Sequence, residues 1–252
     1  MQDSTRGSTP GSRLALARLV VAAAAALAAA LVLSACQTVA TYTQPSLVRV
    51  IDASYIAPAI DVQVEGQLLA SNIGQGTITP YGTLTAETTA PIVITAVTGN
   101  VALVTTSGTL LAGHQHSVFL TDNGAAPNGY LVTILEDQQV QAAQGHSAFR
   151  FLNQAAKTGA VDIYMMPAGS TLANSIPLVT NLSVGATAGY ISFTSQTVTM
   201  VITPAGQTTP FFAFTPITLT GGEARTVLIM DTQLTSNPAV EVFTAIDAGP
   251  TN

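Results

Sequence analysis

The sequence contains a single cysteine, no tryptophan and few charged residues, and each shortage excludes a class of protein. Because Cys36 is alone, no disulfide can form within the chain, and the fold must be held together by packing. Charged residues make up 8% of the 252 and aromatic residues 6%, which leaves little material for a polar pocket or an aromatic carbohydrate platform. A surface that relies on Thr, Ser, Gln and Asn is typical of extracellular β proteins.

The N-terminal 35 residues differ from the rest and indicate an export signal. Three arginines precede an apolar run from Leu19 to Leu33 that has no polar side chain. These 15 residues are fewer than the roughly 20 that a helix needs to span a bilayer, so a cleaved signal is favoured over a permanent anchor. The run leads directly into Leu33-Ser34-Ala35-Cys36, which resembles the bacterial lipobox.

The lipobox resemblance implies cleavage between Ala35 and Cys36 and attachment of diacylglyceryl and N-acyl chains to Cys36. Anchorage by more than one chain is stable. No cofactor is predicted apart from this lipid. An ordinary secretory signal and a cysteine without a role stay open as alternatives. Gln37 follows the cysteine and implies the outer membrane if the cell is Gram-negative, with the protein on an extracytoplasmic face of the cell envelope.

Removal of the signal makes the chain more acidic. Three of the seven basic residues and one of the 13 acidic residues lie in the first 35 positions, so four basic and 12 acidic residues remain, a net charge of −8. This balance argues against nucleic acid as a partner and against electrostatic docking on anionic lipid. The expected contact with a membrane is therefore made through the lipid on Cys36.

An internal repeat follows the signal. Residues 48–52 align with 149–153 at an offset of 101, and Tyr81, Val93 and Val118 align with Tyr190, Ile202 and Val227 at an offset of 109. The second copy therefore carries about eight extra residues, which fall around 167–170, where loop residues cluster. The predicted organisation is a signal peptide at 1–35, a lipidated tether at 36–45, repeat 1 at 46–140 and repeat 2 at 145–248.

Each copy reads as a series of short strands. Apolar and polar residues alternate, as in Ile60–Glu65, and Arg49 and Arg150 each stand between two apolar neighbours on the opposite face of a half-buried strand. The predicted fold is all-β, with two tandem immunoglobulin-like antiparallel β-sandwiches; a barrel stays open. The Phe211–Phe214 run is expected in the core or on an edge strand. Further strands are predicted near 101–106, 116–122, 130–136, 225–230 and 240–246.

The stretch Ala57–Gly66, followed by Tyr81 and by Ala112-Gly113 before a strand, resembles the bacterial family described as domain of unknown function 4397 (DUF4397). The second copy keeps Val161-Asp162-Ile163 but departs from the family's tight glycine turn. The resemblance covers most of 46–248. It implies tandem sandwiches behind an export signal and a location in the cell envelope, and it brings no catalytic residues.

Two histidines are the first candidates for chemistry. His114 and His116 stand two residues apart, so on a strand they share a face and could offer two imidazoles to a metal. A third ligand is missing, because His146 belongs to the join between the copies. The repeat places Glu223 and Arg225 at the same positions. A solvated strand face is therefore predicted and no metal site.

Four aspartates recur in the repeat. Asp61 matches Asp162, and Asp122 matches Asp231. Paired carboxylates can act as acid and base or bind calcium. Repetition in both copies instead favours a role in the sandwich, as an outward strand position for the first pair and a turn cap for the second.

No nucleophile elbow, phosphate-binding loop, dinucleotide fingerprint or zinc-protease motif occurs in the sequence. The leading hypothesis is a lipid-anchored envelope protein with a structural, adhesive or interaction role and no catalysis, whose partner is an envelope protein or polysaccharide. A peptide- or polysaccharide-binding module that uses sandwich loops or the interdomain cleft is the first alternative. A cryptic hydrolase is the second.

Overall fold

The computed structural model describes residues 44–122, 129–137, 141–214, 216–232 and 240–249. These residues form one compact unit of strands with two short 3-10 turns, and no α-helix occurs among them. The strands of the first half are β1 (Ser46–Asp52), β2 (Ile60–Val64), β3 (Gln67–Ile73), β4 (Gly82–Leu84), β5 (Glu87–Ala96), β6 (Val101–Leu110), β7 (Gln115–Asp122) and β8 (Tyr130–Asp137). Those of the second half are β9 (His146–Gln154), β10 (Val161–Pro167), β11 (Val179–Leu182), β12 (Thr187–Thr194), β13 (Thr197–Pro204), β14 (Phe212–Ala213), β15 (Ile217–Thr218), β16 (Ala224–Asp231) and β17 (Val240–Ala248).

The strands build two β-sandwiches with the same strand order. In the first sandwich an inner sheet β4-β1-β7-β8 packs on an outer sheet β3-β2-β5-β6. In the second, an inner sheet β12-β9-β16-β17 packs on an outer sheet of β11-β10-β13, where β13 pairs with both β14 and β15. The all-β sandwich prediction is confirmed. Pairing is antiparallel except between β1 and β7 and between β9 and β16, which are parallel.

Alternation along the strands fills the core of each sandwich. Val48 and Val50 of β1 face Val62 of β2, while Phe149 and Phe151 occupy the matching positions of β9. β-Branched and aromatic side chains suit these pleated, buried surfaces. The further strands predicted from the sequence are confirmed as β6, β7, β8, β16 and β17. The phenylalanine run supplies the edge strand β14, as predicted.

The strand pairing corrects one detail of the alignment between halves. Val62 pairs with Ile94, and its counterpart Ile163 pairs with Ile202. Ile94 is therefore the residue that matches Ile202, and the proposed match of Val93 with Ile202 is wrong by one position. Sheet register decides this, because a shift of one residue moves a side chain to the opposite face.

The two inner sheets stack on each other, so their central strands β1, β7, β9 and β16 are buried on both faces. Ile51, Phe119, Leu152 and Leu228 form an apolar layer between the sandwiches. The half-buried strands predicted at β1 and β9 are therefore wrong in one respect. Arg49 and Arg150 do lie opposite their apolar neighbours, but the face that carries them is covered by the other sandwich rather than by water.

The halves differ at one turn. In the first sandwich Glu65 and Gly66, with φ of 53° and 75°, make a two-residue hairpin turn between β2 and β3. In the second sandwich a longer segment from β10 to β11 replaces it. Leu172 of this segment packs on Tyr164, Met166 and Val201, which covers the outer face of the outer sheet.

Within the part of the chain that the structure describes, no helix has the length and apolar character to cross a membrane.

Candidate functional site

Two arginines and two aspartates lie between the stacked inner sheets and are called here the arginine–aspartate cluster. Arg49 of β1 and Asp137 of β8 come from the first sandwich, and Arg150 of β9 and Asp247 of β17 come from the second. Each of the four exposes 5% of its surface or less. Charges rarely occupy so buried a position without partners, so the bonds that they make define the site.

Each arginine bonds to the aspartate of the other sandwich. Nη2 of Arg49 donates to Oδ1 of Asp247, and Nη2 of Arg150 donates to Oδ1 of Asp137. Nη1 of each arginine also donates to the carbonyl of the residue before that aspartate, at 3.1 Å from Arg49 and 2.8 Å from Arg150. Nη2 of Arg49 lies 3.6 Å from Oδ2 of Asp137, so the two pairs form one network.

One hydroxyl group connects each arginine to the aspartate of its own sandwich. Nε of Arg49 donates to Oγ of Ser117 on β7 at 2.7 Å, and Nε of Arg150 donates to Oγ1 of Thr226 on β16 at 3.0 Å. Each hydroxyl in turn donates to the aspartate of its own sandwich, at 2.7 Å in both cases. Each arginine side chain is thereby bonded to the neighbouring strand of its own sheet, Arg49 to β7 and Arg150 to β16.

A tyrosine closes each half of the cluster. The hydroxyl groups of Tyr81 and Tyr190 donate at 2.7 Å to Oδ2 of Asp137 and of Asp247. The arginine guanidinium groups lie over these two rings, 4.9 and 5.0 Å from the centroids, as in cation–π pairs. Burial raises the pKa of Tyr81, and the charge of Asp137 raises it further. Burial also raises the pKa of Asp247, against the lowering effect of Arg49.

The cluster obeys an approximate twofold relation, because the arginine–aspartate bond, the arginine–carbonyl bond, the arginine–hydroxyl bond and the tyrosine–aspartate bond each occur once in either direction. Such an arrangement is typical of self-complementary interfaces between like subunits. Its two positive and two negative charges balance, and its carboxylates are fully engaged by arginine, hydroxyl and tyrosine groups. These directional bonds fix the register of the two sandwiches. Both carboxylates of the cluster are already bonded to the chain's own donors, so neither is placed to take a proton from a substrate.

The predicted histidine pair occupies different surroundings from those expected. His116 is 3% exposed, so a solvated face is wrong for it. Its Nδ1 lies 3.0 Å from Oγ of Ser46, and its Nε2 accepts from the amide of Leu111. Burial lowers its pKa. His114 is partly exposed and lies 2.6 Å from Oε1 of Glu136. Among the described residues, no three His, Cys, Asp or Glu side chains are grouped as metal ligands would be.

Asp61 and Asp162 stabilise an irregularity in the outer sheets. Their Oδ1 atoms accept the amides of Asn72 and Asn181 at 2.8 and 2.7 Å. Both asparagines have positive φ, 52° and 50°, beside a shift in strand register. Both aspartates lie opposite the core-facing residues, as an outward position requires. Asp162 is nevertheless buried, and its Oδ2 also accepts the amide of Gly206.

Asp122 and Asp231 act as caps of the loops that follow β1 and β9, and the turns directly after these two aspartates lie outside the described residues. Asp122 accepts from Ser54 and from the amide of Tyr55, in the loop after β1. Asp231 accepts from the amide of Lys157 at 2.8 Å and from Thr158, in the matching loop after β9. Each aspartate thus ties the end of one inner strand to the loop that leaves its neighbour.

An open groove of about 380 Å³ lies on the first sandwich, between β6 and β8. Its lining is a mixture of polar and apolar side chains, which includes Thr109, His116, Ile134 and Glu136. Cys36 and Ala35, the residues of the predicted lipidation and cleavage, lie outside the described residues. So does most of the predicted tether.

Sequence reasoning singled out the two arginines and aligned the two tyrosines, but it missed Asp137, Asp247, Ser117 and Thr226. A signal existed. Ionisable residues are scarce in the sequence, and the aspartates Asp137 and Asp247 stand at matching places of the two halves, 110 positions apart. The cross-pairing itself could not be inferred, because it depends on which faces of the sandwiches meet.

The fold and the cluster define a class: an all-β protein of two sandwiches joined face to face through buried, reciprocal ion pairs. The family model described as "Domain of unknown function (DUF4397)" matches residues 46–164. The match covers the first sandwich and extends through the first strands of the second, past the predicted end of repeat 1 at 140. The comparison with curated proteins found no match.

Among solved structures, the chain is similar to a carbohydrate-binding module of family CBM26, from Eubacterium rectale Amy13K, crystallised with maltoheptaose. The sequences are 9% identical, the alignment covers 81% of this chain and 98% of the module, and the TM-score is 0.24. At that TM-score the similarity carries no argument about ligand or fold.

Proposed function

We propose that this chain is a lipid-anchored protein of the bacterial cell envelope, carrying two tandem DUF4397-type sandwiches, that serves as a structural or adhesive body without catalysis. The location is supported by the predicted export signal, whose apolar run leads directly into Leu33–Cys36. The structural role is supported by one observation above the others: the buried, reciprocal bonding of Arg49 and Arg150 across the two inner sheets.

This bonding favours a rigid body over two independently moving modules. Separation of the sandwiches would expose the apolar layer around Phe119 and Leu228 and would leave four charges to be resolvated. The domains of a chain are expected to move relative to each other unless their interface is large and apolar. A rigid block presents its outer faces at fixed positions, which suits a spacer or a contact surface.

The proposed lack of catalysis is supported by the bonds of five aspartates to donors of the chain itself. Asp122, Asp162 and Asp231 accept main-chain amides, and Asp137 and Asp247 hold arginines. General acid–base chemistry needs a titratable group within reach of a substrate proton. Carboxylates that are bound to the chain's own donors are poor candidates for that role.

Metabolic labelling tests the anchor. Cells that express the wild-type chain should incorporate labelled palmitate into it, and the Cys36→Ser chain should not, because the thiol is the predicted acceptor. The chain with Ser34→Thr, which keeps a small residue and the cysteine, should still be labelled. Incorporation of palmitate by the Cys36→Ser chain would contradict the proposal. Protease shaving of intact cells, followed by crosslinking and identification of neighbours, then tests the structural or adhesive role.

The groove between β6 and β8 favours a second candidate, a module that binds a peptide or polysaccharide. Thr109 and Glu136 could bond to hydroxyl or amide groups, while Ile134 supplies an apolar contact. Titration with a panel of soluble glycans and peptides tests it, with Ile134→Ala as the groove variant. Saturable binding that this variant weakens would favour a binding module over a purely structural role.

A further inference from the structure

Asp52, at the end of β1, is a buried carboxyl group that forms no ion pair with any other described residue. It exposes none of its surface, and it follows Val48 and Val50 on the side of β1 that faces the first sandwich's core. Its Oδ1 accepts the amide of Ser54 at 3.0 Å. Its Oδ2 has no hydrogen-bond partner among the described residues. An ionised carboxylate in that position would be costly, because a buried charge needs compensating bonds.

The second sandwich has an asparagine at the same place. Asn153 occupies on β9 the position that Asp52 occupies on β1, since Val50 pairs with Val118 as Phe151 pairs with Val227. Its Oδ1 accepts an amide two residues on, that of Ala155, at 3.0 Å, just as Asp52 does. The two side chains therefore make the same local turn.

The asparagine uses its second atom as a donor. Nδ2 of Asn153 donates to the carbonyl of Gly159 at 2.8 Å and to that of Leu182 at 2.9 Å. The matching residues of the first sandwich are Pro58 and Ile73, because Ile60 pairs with Ile73 as Val161 pairs with Leu182. Both carry main-chain carbonyl groups, which only accept hydrogen bonds. A carboxylate cannot bond to them, whereas a carboxylic acid can.

The electrostatic surroundings favour the acid form. The pKa of Asp52 is raised to about 7, mainly by burial and also by the charge of Asp122 on β7, against the lowering effect of the amide of Ser54. Tyr130 of β8 is a further titratable neighbour, because its pKa, which burial raises, is also raised by the charge of Asp52. The segment 74–79, which bonds to the main chain of Asp52, contains no ionisable residue. None of these neighbours supplies a positive charge.

We propose that Asp52 is held as a neutral carboxylic acid whose hydroxyl donates to a main-chain carbonyl, as Nδ2 of Asn153 does, and that loss of this proton loosens the loop between β1 and β2. The device makes the order of residues 53–59 depend on the pH of the surroundings. The second sandwich lacks this dependence, because asparagine does not titrate.

Reciprocal substitution in the full chain tests the proposal. Asp52→Asn gives the first sandwich the side chain of the second, and Asn153→Asp does the reverse. Unfolding by denaturant would be followed by circular dichroism from pH 4 to pH 9. The carboxyl carbon of Asp52 would be titrated by NMR in the folded protein, so that the test does not depend on any variant folding.

The sign of the expected effect follows from proton binding. An acid with a raised pKa binds its proton more tightly in the folded state, so its stabilising effect is present at low pH and is lost as pH rises from 3.8 to about 7. The unfolding constant of the wild type, divided by that of Asp52→Asn, should therefore rise roughly a thousand-fold between pH 4 and pH 9. The Asn153→Asp chain should acquire an additional dependence of the same sign.

The outcomes separate the proposal from a merely structural role. The expected NMR result is titration of the Asp52 carboxyl near pH 7 in the folded chain. Titration near pH 4 would overturn the proposal, and so would a wild-type to Asp52→Asn ratio that stays constant with pH. If Asp52→Asn does not fold, the NMR titration and the Asn153→Asp chain decide the matter.

Discussion

Substitution of Arg49 by methionine should destabilise the whole chain strongly. Methionine fills much of the same volume, but it leaves Asp247 buried between the sheets without its main counter-charge and leaves the carbonyl of Ile246 without its donor. Removing one partner of a buried ion pair costs about 3–5 kcal/mol, because the remaining charge is uncompensated. The same reasoning applies to Arg150→Met, so the two losses should agree to within about 1 kcal/mol.

The loss should depend on pH. Burial already raises the pKa of Asp247, and Arg49 is the largest opposing influence, so its removal raises that pKa further. A raised carboxyl pKa means that the folded state is penalised above the ordinary pKa of 3.8 and relieved as pH falls toward it. The destabilisation by Arg49→Met should therefore be larger at pH 7 than at pH 4.

A matched control is available in the same chain. Arg225 bonds to Glu223 at 2.6 Å, but its side chain is 25% exposed and both residues belong to the second sandwich. Arg225→Met should cost about 1 kcal/mol or less, as for pairs near the surface. The assay is denaturant unfolding followed by circular dichroism, since the chain has no tryptophan to report by fluorescence.

A double-mutant cycle would separate the ion pair from other effects. The Arg49→Met and Asp247→Leu losses should be less than additive, with a coupling energy of about 1.5 kcal/mol or more. Equal losses for Arg49→Met and Arg225→Met, or additivity of the two substitutions in the cycle, would refute the reasoning that the cluster joins the sandwiches.

Two further predictions concern packing. Gly76→Ala should cost about 1–3 kcal/mol more than Gly185→Ala in denaturant unfolding. Both glycines have positive φ, 78° and 76°, but only at Gly76 would a new methyl group meet Phe243 of the other sandwich. Equal losses would contradict the role given to that contact. Leu172→Ala should cost about 1–2 kcal/mol by exposing Tyr164 and Met166. Ile176→Ala in the same segment, with the side chain 89% exposed, should cost close to nothing, and a reversed order would contradict the role given to this segment.

Local patterns in the sequence were sufficient to predict the strands and the class of fold. The alternation at β2 and β13 reports which side chains face a core, and that depends only on residues two apart. A structural role for Asp61 and Asp162 could be predicted, because the two aspartates recur at the same position of both halves. Their bonds to left-handed asparagines were not accessible, since Asn72 lies 11 residues away across a register shift.

What the sequence by itself determined is therefore the absence of disulfides within the chain and its all-β character, while the export signal and the lipid on Cys36 stay predictions. Only the tertiary structure decided that the polar faces of β1 and β9 meet. That packing turned Arg49 and Arg150 from expected solvent-facing charges into the reciprocal bonds between the sandwiches. The physical reason is that alternation along a strand distinguishes its two faces, whereas burial of the second face depends on residues that belong to the other sandwich, such as Asp247, which lies 198 positions from Arg49.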